Sequence, residues 1–212
     1  MKLAILGASG WIGSTIVEES LARGHEVIAL VRDPAKIEPR QGLGVQPIDL
    51  LESAPLPAEL AAADVMIASI GGRAAGNHEL TAATAKRLLE ELPAAGIERL
   101  FWVGGAGSLE VAPGVSLLST PEFPAEYKNE AQAQSEALQV FRTSTGPLAW
   151  TFISPAAEIF PGEKVGHYRV GGDALLTDTE GRSRISVTDY AAAMLDQVEQ
   201  NTYAHQRIGV AY

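Results

Sequence analysis

"GASGWIG", Gly7 to Gly13, follows a strand-sized apolar run, "KLAIL", and opens a helix-like stretch, "WIGSTIVEESLARG". A second apolar run, "EVIALV", comes next, at the distance of a strand–helix–strand unit. In that setting each glycine has a physical task. Gly7 permits the tight turn out of the strand, Gly10 lets backbone approach a pyrophosphate, and Gly13 lets helix and strand pack closely. Amides at the helix start then face the phosphates. The spacing is G-x-x-G-x-x-G, a variant of the dinucleotide-binding loop, and in this context it reads as one.

The same alternation continues outward from the loop. "GVQPIDL", "DVMIASI", "RLFWVGG" and "LAWTFIS" read as further strands. "AELAAA", "NHELTAATAKRLLEELPAAG" and "AEYKNEAQAQSEALQVFRTST" read as the helices between them. Near-continuous apolar strands are those of a parallel sheet covered on both faces. The fold class expected is therefore α/β, a doubly wound parallel sheet, as one domain over residues 1–212. Gly24 and Gly96 read as helix C-caps, and Asp33-Pro34 as an N-cap with proline at the first helical position. Thr188 and Asp189 in "SVTDYA" read as helix-capping residues. Two stretches interrupt the pattern, residues 108–124 and 154–186. Both follow late strands, so they are expected to border a site beyond the carboxyl ends of the sheet.

Bulk properties narrow the class. With 212 residues, 46% hydrophobic and 20% charged, the chain suits one well-buried globular domain. No apolar run approaches the ~20 residues that span a bilayer. The N-terminal apolar run stops at Gly7, short of the roughly 7–15 residues of a signal core, so a cytoplasmic location is expected. A net charge of −10 without a basic cluster argues against a nucleic-acid partner. There are no cysteines, which removes disulfides and thiolate chemistry. The four histidines lie far apart in the chain and read as lone surface residues, with no metal site.

The end of the second strand selects the cofactor. An acidic residue there would hold the ribose 2′-hydroxyl of NAD and repel a 2′-phosphate. "LVRDP" instead places Arg32 first, and Asp33 is better explained as a cap. Arginine matches a phosphate by its bidentate geometry and can stack on adenine. NADPH is favoured over NADH, the alternative being a solvated arginine. Asp49 and Leu50 end the third strand where the adenine edge would lie. Ser69, Ile70 and Gly71 end the fourth, beneath the nicotinamide ribose.

"GASGWIGSTIVEESLARGHEVIALVRDP", "FWVGGAGSLEV", "WTFISPAAEIFPGEKVGHYRVGGDALL" and "SRISVTDYAAAMLD" carry a family likeness. Over essentially its whole length the chain resembles the NADH-flavin reductase group of atypical short-chain dehydrogenases, relatives of biliverdin-IXβ reductase and NmrA-like proteins. The resemblance implies a Rossmann domain with a small C-terminal portion shaping the substrate pocket. It also implies cofactor contacts along the whole loop (Gly7, Ala8, Ser9, Gly10, Trp11, Ile12 and Gly13), at Arg32, at the fourth-strand end, at Gly104 and Gly105, and at Ser154, Pro155 and Ala156.

One motif of typical short-chain dehydrogenases is absent. They use a tyrosine acid with a lysine four residues on, one helix turn away, whose ammonium lowers the phenol pKa and grips the nicotinamide ribose. Here Tyr127, Tyr168, Tyr190 and Tyr203 are followed at that spacing by Ala131, Gly172, Met194 and Arg207. Adjacent Tyr127 and Lys128 point about 100° apart and do not replace the pair. That argues against ordinary carbonyl reduction, but not against hydride transfer to a flavin or quinone, which takes its proton from water. Tyr127 either stacks on such an acceptor or is an ordinary surface or core tyrosine. Ser108 either makes a polar contact to the acceptor or forms a turn, and Trp11 either covers the nicotinamide side or packs. The expected activity is transfer of hydride from NADPH to a flavin (FMN or riboflavin) or quinone-like small molecule. The alternative is a non-enzymatic NADP(H)-binding redox sensor acting on a protein partner.

Overall fold

The computed structural model of the chain describes residues 1–52, 54–71 and 76–212. β1 (Lys2–Leu6) passes through the glycine loop into α1 (Trp11–Ala22) and returns as β2 (Glu26–Val31). β3 (Leu43–Pro47), β4 (Val65–Ala68), α2 (Glu79–Glu91) and β5 (Arg99–Val103) follow. A short ribbon of β6 (Glu110–Ala112) and β7 (Val115–Ser116) precedes α3 (Lys128–Thr143) and β8 (Ala149–Ser154). Three short strands, β9 (Glu158–Phe160), β10 (Arg169–Gly171) and β11 (Arg184–Ser186), lead to α4 (Val187–Gln200) and β12 (Gln206–Ala211).

The central sheet has the order β10-β12-β8-β5-β4-β1-β2-β3. Its neighbours run parallel except β10, which lies antiparallel to β12 at one edge. Strand alternation explains why helices cover both faces. Leu3 and Ile5 enter one core with Ile16 and Val17 of α1 and Met194 and Leu195 of α4. Ala4 and Leu6 enter the other with Leu88 of α2 and Leu138 and Phe141 of α3. The chain leaves β1 toward β2 and β3, then returns to β4 on the other side. That reversal opens a crevice at the carboxyl ends of β1 and β4, the switch point of a doubly wound sheet.

Several expectations change in detail. "AELAAA" forms only a 3₁₀ helix, Ala58–Ala62, because so short a segment cannot offset the cost of α-helix nucleation. The third strand ends at Pro47 rather than Leu50; as the sheet edge, β3 tolerates a proline without a ladder donor. The two late insertions contain short paired strands. The cap of α4 is Ser186, whose hydroxyl accepts from the Asp189 amide at 3.0 Å. Thr188 and Asp189 therefore lie inside the helix. Thr188 donates to the Gly162 carbonyl at 2.7 Å, and Asp189 accepts the amides of Val165 and Gly166 at 2.8 and 2.9 Å.

The glycine loop is packed backbone on backbone. A Cβ at Gly13 would stand 2.1 Å from the Gly7 carbonyl oxygen, whereas one at Gly10 meets only that oxygen, at 3.3 Å. Gly13→Ala should therefore cost about 1–3 kcal/mol of stability. Gly10→Ala should change it by less than about 1 kcal/mol. Denaturant unfolding of the two variants compares them, and equal losses would contradict the packing role given to Gly13.

Candidate functional site

The carboxyl ends of β1, β2 and β4 surround a cavity of about 240 Å³. Gly7, Ser9 and Gly10 line it from the loop, and Arg32 from the end of β2. Asp49 and Leu50 stand beyond β3, and Ser69, Ile70 and Gly71 beyond β4. Gly7 turns the chain with φ +77°, donates its amide to Leu30 at 3.1 Å and accepts the Gly10 amide at 3.0 Å. α1 then opens at Gly10 with no side-chain cap and no acidic residue in its first turn. Its first amides keep their donor capacity, in an end field that favours an anion. The cradle thus fits the phosphates of a dinucleotide. Its volume is below the ~300–1,000 Å³ of a drug-sized pocket, so the cavity alone does not enclose a whole dinucleotide.

Arg32 is exposed at the rim of this cavity. Asp33, beside it, spends its carboxylate on the Ala35 amide at 3.1 Å, the capping role the sequence suggests. Asp49 is likewise turned inward on the chain, accepting the Leu51 amide at 2.9 Å. A larger depression, about 520 Å³, lies near Lys2, Glu26, Arg40 and Glu59 at the amino-terminal ends of β1 and β2. It is on the wrong side of the sheet for the loop, and its charges pair with each other or nearby, Lys2 with Glu26 and Arg40 with Glu18.

The model of a family described as NAD(P)H-binding matches residues 7–200, from the first loop glycine to the end of α4. The chain belongs to this NAD(P)H-binding family. YwnB of Bacillus subtilis, named only as uncharacterized, is 38% identical over 99% of this chain and 98% of its own. A Burkholderia pseudomallei structure, provisionally described as an exported protein, is 40% identical with a TM-score of 0.87, both chains covered in full. A Streptococcus pneumoniae structure, provisionally named an NADH-flavin reductase, is 36% identical with a TM-score of 0.83, over 100% of this chain and 99% of its own.

The other expected contacts of this NAD(P)H-binding chain stand differently. Ala8 is buried and Ile12 packs on the core, and neither lines the cavity. Trp11 is 49% exposed at the start of α1, outside the cavity lining. Gly104 and Gly105 follow β5; a Cβ at Gly104 would strike the Phe152 ring at 2.1 Å, and one at Gly105 would press on Gln134 at 3.2 Å. Ser154, Pro155 and Ala156 are buried at the end of β8. These five lie along the same carboxyl edge, outside the cavity lining. Ser108 is drawn into a structural cluster. Its hydroxyl and carbonyl both accept from Arg207, at 3.2 Å each, and the same guanidinium reaches Ser154 at 3.4 Å and Asp173 at 2.7 Å.

Tyr127 is 42% exposed at the N-cap of α3. Burial pushes the phenols of Tyr168, Tyr190 and Tyr212 up, the opposite of what a tyrosine acid needs. Asn77 and Leu80, at the start of α2, line the cavity and escaped the sequence reading; the carboxyl-edge rule that selected Ser69 to Gly71 reaches them too. Nor are all the histidines solitary. His25 meets Glu199 at 2.8 Å and His78 meets Glu130 at 3.2 Å. Among the described residues no group of three potential ligands could hold a metal, and no helix is long and apolar enough to cross a membrane.

Asp189 ties the insertion after β8 to α4 and the C-terminus. Burial alone would raise its carboxyl, but the Tyr212 hydroxyl and the Val165 and Gly166 amides outweigh that and hold it below its usual range. A depressed carboxyl stabilises the fold above the unfolded value of about 4, and the contribution fades as pH falls through the folded value. Asp189→Asn should be less stable at neutral pH and lose less of its remaining stability below about pH 4. Unfolding free energies across that window test it; parallel curves for the two proteins would contradict it.

Proposed function

We propose that the protein is an NADPH-dependent oxidoreductase that passes hydride to a flavin- or quinone-like planar acceptor, with no protein acid essential to the step. The observation that carries the reading is Arg32 at the cavity rim beside an Asp33 already engaged with its own turn. A guanidinium there suits a 2′-phosphate, and the neighbouring Asp33 is held in its capping turn by the Ala35 amide. The reduced nicotinamide, when bound, supplies the hydride. The chain's own part is to seat the pyrophosphate on the amides at the start of α1, fix the adenosine half between Arg32 and Leu50, and align the acceptor. The absent tyrosine–lysine pair favours an acceptor that takes its proton from water. The Streptococcus relative's provisional name supports the flavin class, FMN or riboflavin among them. Tyr127, half-exposed at the start of α3, is the ring offered to stack on that acceptor.

A charge-assisted contact of about 1.5–3 kcal/mol corresponds to roughly 10–150-fold in affinity. NADPH should bind tighter than NADH within that range, and Arg32→Ala should remove most of the difference while leaving NADH binding nearly unchanged. Equal affinities in the unaltered protein would overturn the preference. Tyr127→Phe, which keeps the ring, should lower the rate less than about tenfold, because a true acid contributes 10²–10⁴-fold. Gly10→Val should abolish activity, since its branches would stand where the pyrophosphate approaches. Firm NADPH binding with no oxidation by FMN, riboflavin or quinones would favour the redox sensor instead.

A further inference from the structure

α3 opens at Lys128 and presents the pair Glu130 and Gln134 to the end of β4. Glu130 and Gln134 are one turn apart and share a face. Gln134 is 6% exposed and fixed at both ends of its amide, accepting from the Trp102 indole at 3.0 Å and donating to the Ile70 carbonyl at 3.0 Å. Glu130 stands one turn nearer the helix start. Its Oε2 meets His78 Nδ1 at 3.2 Å, and its Oε1 lies so close above Gly71 that a Cβ there would be only 2.4 Å away. Gly71 and Ile70 both line the cavity. The carboxylate therefore rests against Gly71, at the edge of the cavity that Gly71 lines.

We infer that Glu130, steadied by His78, accepts hydrogen bonds from the hydroxyls of the nicotinamide-side ribose, taking over by acceptance the grip that lysine provides by donation. This rests on the NADPH reading above. The exchange of polarity is chemically sound, because a ribose hydroxyl both donates and accepts. A carboxylate is also the group that holds ribose hydroxyls at the adenine end of NAD sites. Oε1 is the end of a flexible side chain, so a small residue at 71 would shift the Glu130 carboxylate rather than be excluded by it. Glu130 is thus a positioning residue that touches the cofactor's sugar and aims the ring, with no part in proton transfer.

Three ligands separate this role from the rest of the site. NADPH and 2′-phospho-ADP-ribose carry the second ribose, and 2′,5′-ADP does not. Their dissociation constants are to be measured by calorimetry for the unaltered protein, Glu130→Ala and the near-isosteric Glu130→Gln. Glu130→Ala should weaken NADPH and 2′-phospho-ADP-ribose about tenfold or more and leave 2′,5′-ADP within about twofold. Glu130→Gln, which keeps one acceptor oxygen, should show a smaller loss with the same selectivity. Retained 2′,5′-ADP binding also reports that each variant is folded. Unchanged binding of all three ligands, or an equal loss for all three, would overturn the inference while leaving the cofactor reading in place. Failure of the unaltered protein to bind NADPH or 2′,5′-ADP would overturn that reading, and this inference with it.

Discussion

The structure depends on a close approach of backbone to backbone where the β1–α1 turn meets the end of β4. A Cβ at Gly7 would lie 1.9 Å from the Ser69 carbonyl oxygen, and one at Gly13 would lie 2.1 Å from that of Gly7. No side chain fits at either point. The contact brings the first amides of α1 level with the end of β4. The parallel register of β1 with β2, Leu6 opposite Leu30, then sets Arg32 at the same edge. Two hydrophobic layers, one under α1 and α4 and the other under α2 and α3, hold the sheet rigid enough for those strand ends to form one cavity. The site is preorganised by packing, and its polar groups are carried mostly on backbone.

That arrangement makes the chemistry a matter of position. Three of the tyrosines have phenols raised by burial, and no tyrosine of the chain is followed four residues on by lysine. On the proposed reading, such a site would align the cofactor with a planar acceptor and leave the reacting centre to the cofactor. The late insertions serve the same end. Arg207, its side chain buried, gathers Ser108 from the segment after β5 and Ser154 from the end of β8, while Asp189 anchors residues 165 and 166.

What can be read directly from the chain is what its contiguous segments determine. The runs Lys2–Leu6 and Glu26–Val31, bounded by glycines and turns, leave one strand period and one helix between them, and the loop and Arg32 sit at fixed offsets from those strands. β9, β10 and β11, three residues each, are too short to show a period, and they exist because other segments pair with them. Side-chain partnerships across the fold are equally hidden. His78 and Glu130 are 52 residues apart, and Ser108 and Arg207 are 99 apart, so neither pairing leaves a local signal. Asp189 matches a capping pattern, yet its carboxylate is directed at a loop more than twenty residues upstream.

The central claim is that the loop from Gly7 to Gly13 seats a dinucleotide pyrophosphate and that Arg32 receives a 2′-phosphate at the same edge. A crystal structure of the protein with NADP⁺ tests it most directly. Pyrophosphate oxygens are expected on the amides at the start of α1, with the 2′-phosphate within hydrogen-bond distance of the Arg32 guanidinium. A nucleotide bound elsewhere, or one whose 2′-phosphate points away from Arg32 into solvent, would contradict it.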